Sequence, residues 1–173
     1  MNELDQIWAQ MLDEAMSKAR ASGRGNVVEY LQLKATNDVI RAASVKWLFD
    51  SMLEIAAEAN RKNAAVTIEN ENPHRFPLGN AQLVGSLLSF RQGVRCLTLE
   101  AGWTRTPADG FMRGGALACA RITHFGVSKA NDELALIREN DLPNWFSVKK
   151  GGKRNLFDSN NLQNHFRVFL GVI

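Results

Sequence analysis

The chain has 173 residues and carries 21 Lys and Arg against 18 Asp and Glu, which gives a formal net charge of +3. Hydrophobic residues make up 45% and charged residues 23%, proportions that exclude a disordered, collagen-like or low-complexity chain. This length predicts a single domain, 1–173, with one hydrophobic core. Within it we expect a helical part (1–63), a sheet part (64–150) and a basic turn with a C-terminal helix (151–173).

Two helices are predicted in the first part of the chain. Apolar residues recur with the 3.6-residue period over 4–19, and the glycines of 22–25 favour a left-handed stop. A second, long helix is predicted over 26–63, since it starts with a capping box and contains neither Pro nor Gly. Its apolar residues lie on more than one side, which predicts that it is covered on more than one face. A break near 36–38 stays open.

After residue 63 the apolar period changes to two, which predicts strands. The predicted strands are 65–68, 83–90, 94–103, 116–125, 133–138 and 145–149. The stretch 70–80 contains Pro73 and Pro77 and is predicted to be irregular. Residues 91–93 are predicted to form a three-residue turn with a bulge, and a last helix is predicted over 160–170.

Helices followed by sequence-adjacent strands predict the α+β class. We expect the N-terminal helices, one of them long, to pack on a five- to six-stranded, mainly antiparallel meander sheet with a short C-terminal helix. By analogy this is a cystatin-like or helix-grip arrangement. The stretch 93–107 matches no phosphate loop, nucleophile elbow or metal motif, so the sequence indicates no family.

The positive charge is concentrated in the sheet part. Residues 1–60 carry a net charge of −3, residues 61–130 one of +5, and residues 131–173 one of +1. Between residues 63 and 128 every base is an arginine: Arg75, Arg91, Arg95, Arg105, Arg113 and Arg121. Two interpretations stay open. These arginines either pair with the acids of the helical part or form a surface for an anion, which arginine grips with two parallel hydrogen bonds.

The loop at 104–114, between the third and fourth predicted strands, is too long for a simple hairpin and has turn residues at its centre. If the loop is symmetric about Asp109, Arg105 faces Arg113 across its mouth, and Trp103 lies on the same side. Two like charges so placed require an anion between them, either Asp109 or Glu100 from within or a bound ligand.

The binding hypotheses rest on two sets of residues. The ligand-binding candidates are Trp103, Arg105 and Arg113, with Arg95 and Arg121 at the opposite end of the same face. The nucleic-acid candidates are Lys149, Lys150, Lys153 and Arg154, which surround a glycine pair. This second set is either a solvated turn or a loop that contacts phosphates.

The same symmetric pairing tests an acid–base pair of Glu100 and His124. It places Glu100 opposite Ala118 and His124 opposite Val94, on one face but roughly 20 Å apart, which is beyond hydrogen-bond reach. The sequence therefore argues against this pair.

Glu100 and Asp109 are the weak catalytic candidates. The pairing puts Glu100 on a stripe of small apolar residues, where a carboxylate either bonds to an arginine or tryptophan or acts as a general base. The pairing also directs Cys96 and Cys119 to opposite faces, which argues against a disulfide between them.

The first 20 residues carry four acids and no apolar run, unlike a signal or transit peptide, and no stretch is long enough to span a membrane. We expect reduced thiols, a cytoplasmic location and no membrane partner. The histidines His74, His124 and His165 share no metal-ligand spacing, so we expect no metal and no cofactor. His165 is predicted to be a packed, hydrogen-bonded histidine on an apolar helix face.

Three functions stay open. The first, which we favour, is a small binding or accessory module, not an enzyme, with an arginine-rich site for an anionic ligand: a nucleotide, a nucleic acid or an acidic peptide. The second is an enzyme in which Glu100 or Asp109 is the general base for an anionic substrate. The third is a structural subunit that forms a homo-oligomer through an apolar face of the sheet.

Overall fold

The computed structural model describes residues 3–172, without the side chain of Asp5. The chain divides into two compact units, Met1–Ala42 and Ala43–Ile173, and the division falls inside a long helix. In the described range no helix combines the length and the apolar composition that crossing a membrane requires.

Residues 3–172 contain three α-helices: α1 (Glu3–Ala21), α2 (Gly25–Arg61) and α3 (Ser159–Leu170). The predicted stop after the first helix is confirmed, and Gly23 has the left-handed φ of 71°. The break left open near 36–38 is absent, because no Pro or Gly interrupts α2 and its backbone hydrogen bonds continue through all 37 residues.

In the described part of the chain, seven antiparallel strands form one sheet in sequence order. They are β1 (Thr67–Leu78), β2 (Ala81–Gln92), β3 (Arg95–Trp103), β4 (Ala118–His124), β5 (Asp132–Glu139), β6 (Leu142–Val148) and β7 (Arg154–Leu156). The α+β class and the antiparallel meander are confirmed. The strand number is higher than expected, because the residues after the basic turn pair with β6 as a seventh strand.

β1 differs most from its prediction. The prolines at 73 and 77 indicated an irregular stretch over 70–80, but the chain forms one strand with a bulge between Glu71 and His74. Because β1 lies at the edge of the sheet, it pairs on one side only and tolerates residues that lack an amide hydrogen. The turn that follows β2 also differs: Gly93 and Val94 connect Gln92 to Arg95 in two residues, not three.

One face of the sheet, which we call the helical face, is covered by residues 43–61 of α2 and by α3. The rings of Phe90 and Phe166 meet edge to face with centroids 5.6 Å apart, and the Trp145 indole donates a hydrogen bond of 3.2 Å to the Ser44 carbonyl. The helix residues that bury their side chains here are Leu48, Phe49, Met52, Ala56, Leu162, Phe166 and Phe169. This face therefore holds the main core.

The opposite face, the outer face, carries a second apolar cluster. Its buried members include Phe76, Leu83, Cys119 and Ile137, and Met112 from the loop between β3 and β4 packs against them. Both faces of the central strands are thus covered, as the apolar residues on both sides predict.

The pairing of β3 with β4 differs from the expected one by three residues. Glu100 lies opposite Arg121, not Ala118, and His124 lies opposite Leu97, not Val94. The loop is asymmetric because two short 3-10 turns, at 107–109 and 113–115, take up unequal lengths of chain.

A shift by an odd number exchanges the faces of every side chain on one strand. Glu100 and His124 therefore lie on opposite faces, not on one, and the β4 residues of the apolar stripe expected beside Glu100 (Ala118, Ala120 and Ile122) lie on the helical face instead. Cys96 and Cys119 lie on the same face, not on opposite ones, but at different levels of the sheet. Both are free cysteines.

Candidate anion-binding site

Asp109 fixes the loop between β3 and β4, residues 104–117. Its Oδ2 accepts hydrogen bonds of 3.0 Å from the backbone N–H groups of Arg105 and Thr106, and its Oδ1 accepts one of 3.0 Å from Nη2 of Arg75. The backbone bond from Arg105 and the Arg75 side chain lower the pKa of Asp109 from 3.8 to about 2. Asp109 therefore stays ionised and is a poor general base.

The middle of the loop lies on the turn between β1 and β2. Gly110 has φ 85°, and a Cβ added there would lie 2.8 Å from the Asn80 carbonyl oxygen. The Arg113 guanidinium lies over Gly79, with Nε 3.1 Å from the position that a Cβ would occupy. Arg113 is thus held against the turn between β1 and β2, and the symmetric pairing from which it was expected to face Arg105 is not the one observed.

Arg154 reaches the same loop from β7. Its Nη2 donates a long hydrogen bond of 3.5 Å to the Gly114 carbonyl, and the guanidinium occupies the space where a Cβ of Gly114 would stand. Arg154 was predicted with the basic tip and not with the loop. The loop and the basic tip, which the sequence analysis treated as separate sites, are therefore in contact at Gly114, the residue after Arg113.

Arg105 and Trp103 lie together, as their position in the sequence suggested. The guanidinium carbon of Arg105 is 3.9 Å from the centroid of the Trp103 ring, and Nε and Nη2 donate to the Val84 carbonyl at 3.4 and 3.3 Å. The indole and the carbonyl orient Arg105 while its side chain stays exposed to solvent.

The other two arginines of the ligand hypothesis have internal partners. Nη1 of Arg95 donates to the carbonyl of Leu170 at the end of α3, and Arg121 forms an ion pair with Glu100. The expectation that the arginines pair with acids of the helical part is wrong for Arg75 and Arg121, whose partners lie on the loop and the sheet.

Both carboxylate oxygens of Glu100 are bonded to neighbouring side chains. Oε2 accepts hydrogen bonds of 2.9 and 2.7 Å from Nε and Nη2 of Arg121, and Oε1 lies 2.8 Å from Nε2 of His74. Burial opposes the charge on His74, but the hydrogen bonds to Glu100 and Glu71 outweigh it and raise the pKa of His74 above 6.5. Both oxygens of Glu100 are thus bonded, which is the arginine-bonded arrangement, one of the two that the sequence left open.

The basic tip lies at the surface of the structure. All four nucleic-acid candidates, Lys149, Lys150, Lys153 and Arg154, are exposed, and Lys149 also forms a 3.2 Å ion pair with Asp132. Arg154 contacts the loop at Gly114.

A polar cluster that sequence reasoning missed lies between the helical face and α3. The rings of His124 and His165 stack, with Nε2 and Nδ1 2.9 Å apart, and Nε2 of His165 lies 3.5 Å from Asp132 Oδ2. Ser147 Oγ donates to Asp132 Oδ1 at 2.5 Å. Its members lie on four different elements, β4, β5, β6 and α3, so no local sequence motif indicates the cluster.

This cluster is not a nucleophilic triad. Ser147 bonds to the carboxylate and not to a histidine, which is not the arrangement of a serine–histidine–acid triad, and Ser147 is 5% exposed. Burial, and then the neighbouring His165, lower the pKa of His124 to about 4, which keeps His124 neutral inside the core at pH 7.

We expect Asp109→Ala to release the loop without unfolding the sheet. The amides of Arg105 and Thr106 and the Arg75 guanidinium lose their acceptor, so hydrogen exchange across 104–117 should accelerate by about tenfold or more. Mass spectrometry of exchanged peptides measures this. Asp141→Ala, which removes an exposed partner of Arg138, is the control and should leave the loop unchanged; equal exchange in the two variants would show that Asp109 does not fix the loop.

Comparison with known proteins gives no match: no family model, no curated protein and no solved structure is significantly similar to the chain. Among the described residues, no group of three His, Cys, Asp or Glu side chains is arranged to hold a metal ion. The site is therefore interpreted from its own geometry, and the cystatin-like or helix-grip comparison stays an analogy of architecture.

Proposed function

We propose that the protein is a binding module for an anionic ligand, which it holds through arginines gathered on the loop 104–117. Four arginines from three parts of the chain carry the proposal. They are Arg75 of β1, Arg105 and Arg113 of the loop, and Arg154 of β7. All four side chains are exposed, although only two of them are close in sequence.

The charge balance at this loop favours an external anion. Asp109 is the only acid between residues 104 and 117, and it already accepts three hydrogen bonds from the chain. Four guanidinium groups against one carboxylate leave a local excess of positive charge. Such an excess attracts phosphate or carboxylate groups, and arginine binds both with paired donors.

Two aromatic residues belong to the same stretch of chain as two of these arginines. Phe111, two residues before Arg113, is 88% exposed, and Trp103 is half-buried under Arg105. An exposed ring in a loop that carries arginines suits a ligand that has both a planar base and a phosphate. This places nucleotides and nucleic acids before acidic peptides among the ligands expected. The two free cysteines fit a reducing compartment, and we propose the cytoplasm.

The test is the loss of anion binding in Arg105→Ala with Arg113→Ala. A labelled single-stranded oligonucleotide, a nucleoside triphosphate and a poly-glutamate peptide are titrated at low and moderate salt and followed by fluorescence anisotropy. The double variant should lose about tenfold or more in affinity, because one charge-assisted contact is worth at least about 1.4 kcal/mol. Wild-type affinity should fall as salt rises.

Arg91→Ala is the matched control, because this exposed arginine lies at the far end of β2. It should keep wild-type affinity. If the double variant is folded and binds every probe as tightly as the wild type, or if no probe binds at low salt, the proposal is wrong.

A further inference from the structure

Three loops lie at the end of the sheet opposite the loop 104–117, because every second connection of an antiparallel meander falls at the same end. They join β2 to β3 (93–94), β4 to β5 (125–131) and β6 to β7 (149–153), and we call them the basal loops. The backbone N–H of Phe125 donates a 3.0 Å hydrogen bond to the Cys96 carbonyl, which links the second loop to the first. The Lys149 ammonium lies 3.2 Å from Asp132, the first residue of β5, which links the third loop to the second.

Large apolar side chains stand in water on two of the basal loops. Val94 is 94% exposed, the highest value among the large hydrophobic residues that the structure describes, and Phe125 is 76% exposed. Val127, two residues further along, is 49% exposed. Two-residue hairpin turns favour Gly, Asn and Asp, so turn geometry does not require a valine at 94. Neither the turn nor the core accounts for these side chains, which indicates a contact outside the chain.

Every formal charge on the basal loops is positive. The loops contain no acid and four bases: Lys129, Lys149, Lys150 and Lys153. Arg95, the residue after the first loop, is also exposed. The acid that follows the second loop, Asp132, has a side chain only 10% exposed and pairs with Lys149. The basal loops therefore present an excess of positive charge to the solvent beside their apolar side chains.

This combination of charge and shape indicates what covers the loops. A second copy of the chain would bring lysines against lysines, which is unfavourable. The bases of a nucleic acid stack on aromatic rings, whereas two of the three exposed apolar side chains are valines. A membrane with anionic lipids satisfies both features, since its headgroups attract Lys and Arg and apolar side chains enter the boundary between headgroups and acyl chains.

We propose that the basal loops dock on the surface of a membrane that contains anionic lipids, with Val94 and Phe125 inserted at the interface and the lysines among the headgroups. Binding of this kind needs no membrane-spanning segment, and the expectation of no membrane partner rested on the absence of one. The surface lies at the other end of the sheet from the loop 104–117, so the inference is independent of the proposed anion-binding function and goes beyond it.

Flotation of the full chain with lipid vesicles tests the docking. The wild type should bind vesicles of phosphatidylcholine with phosphatidylserine, and it should bind phosphatidylcholine alone much more weakly. Val94→Ser with Phe125→Ser should weaken binding about tenfold or more, because each buried apolar side chain contributes about that factor. Leu142→Ser with Leu156→Ser is the matched control: these residues are 66% and 59% exposed but lie outside the basal loops, so binding should not change.

Charge reversal tests the electrostatic half of the proposal. Lys150→Glu with Lys153→Glu should abolish binding to the anionic vesicles, since each lysine near such a surface is worth about fivefold in affinity. Wild-type binding should also weaken as salt rises.

Phe125→Trp tests insertion directly, because acyl-chain bromination quenches an indole only at close range. Brominated anionic vesicles should quench this variant more than the wild type. The proposal is overturned if the wild type does not bind anionic vesicles at low salt, or if the serine variant binds them as tightly as the wild type. It is also overturned if vesicles do not bind and the lysine reversal instead weakens binding of a single-stranded oligonucleotide, which would assign the loops to nucleic acid.

Discussion

Gly85→Ala should unfold the sheet or strongly lower the melting temperature of the protein. A Cβ at residue 85 would lie 1.8 Å from the carbonyl oxygen of Ala101, and one at Gly102, its partner on β3, would lie 2.5 Å from the carbonyl oxygen of Val84. These contacts are with the backbone of the paired strand, which cannot rotate away. The two strands would have to separate at this pair.

The expected cost is about 4 kcal/mol or more in the free energy of unfolding, at the upper end of single-substitution effects and a large part of the stability of a typical domain. For a chain of this size that lowers the melting temperature by roughly 10 °C or more. Thermal and urea unfolding followed by circular dichroism measure both quantities.

Gly93→Ala is the control that separates the effect of a steric clash from that of backbone strain. Gly93 has a positive φ of 59° but open space around its Cβ position, so alanine there should cost only about 1 kcal/mol. If Gly85→Ala is no more destabilising than Gly93→Ala, then the close approach of β2 and β3 is not the reason that residue 85 has to be a glycine.

The glycine pair shows what a single sequence can and cannot predict. An isolated glycine within a strand does indicate a bulge or a close approach of two backbones, so Gly85 carried a readable signal. Gly102 carried no such signal, because it can be recognised as the partner of Gly85 only when the pairing of β2 with β3 is known. The helices and most of the strands follow from local periodicity, and the α+β class and the antiparallel meander that they predict are confirmed.

Predictions that depended on contacts between distant residues were less accurate. The pairing of β3 with β4 was derived from an assumed symmetry about Asp109, but the hydrogen bonds of Asp109 to Arg105 and Thr106 fold the loop asymmetrically. Prolines in β1 were interpreted without knowing that β1 is an edge strand. Arg75 and Arg154 join the candidate site across the sheet, and no local pattern links them to the loop.

Acid should destabilise the protein through His124, whose ring is 4% exposed and whose pKa is lowered from 6.5 to about 4 by burial and by His165. In the unfolded chain this histidine takes up its proton near pH 6.5, whereas the folded chain resists protonation down to about pH 4. Stability is therefore complete above pH 6.5 and is lost as the pH falls through that window, by up to about 3 kcal/mol.

Urea unfolding between pH 4 and 7.5 measures this slope in the wild type and in His124→Gln, which keeps a polar partner for His165 and does not titrate. The slope between pH 6.5 and 4 should be much smaller in the variant, and an unchanged slope in His124→Gln would show that the acid sensitivity arises elsewhere.

His74 contributes a pH dependence of the opposite sign. The pKa of His74 is raised by its hydrogen bonds to Glu100 and Glu71, so its stabilisation is complete below pH 6.5 and is lost as the pH rises. His74→Gln should accordingly reduce the free energy of unfolding at low pH.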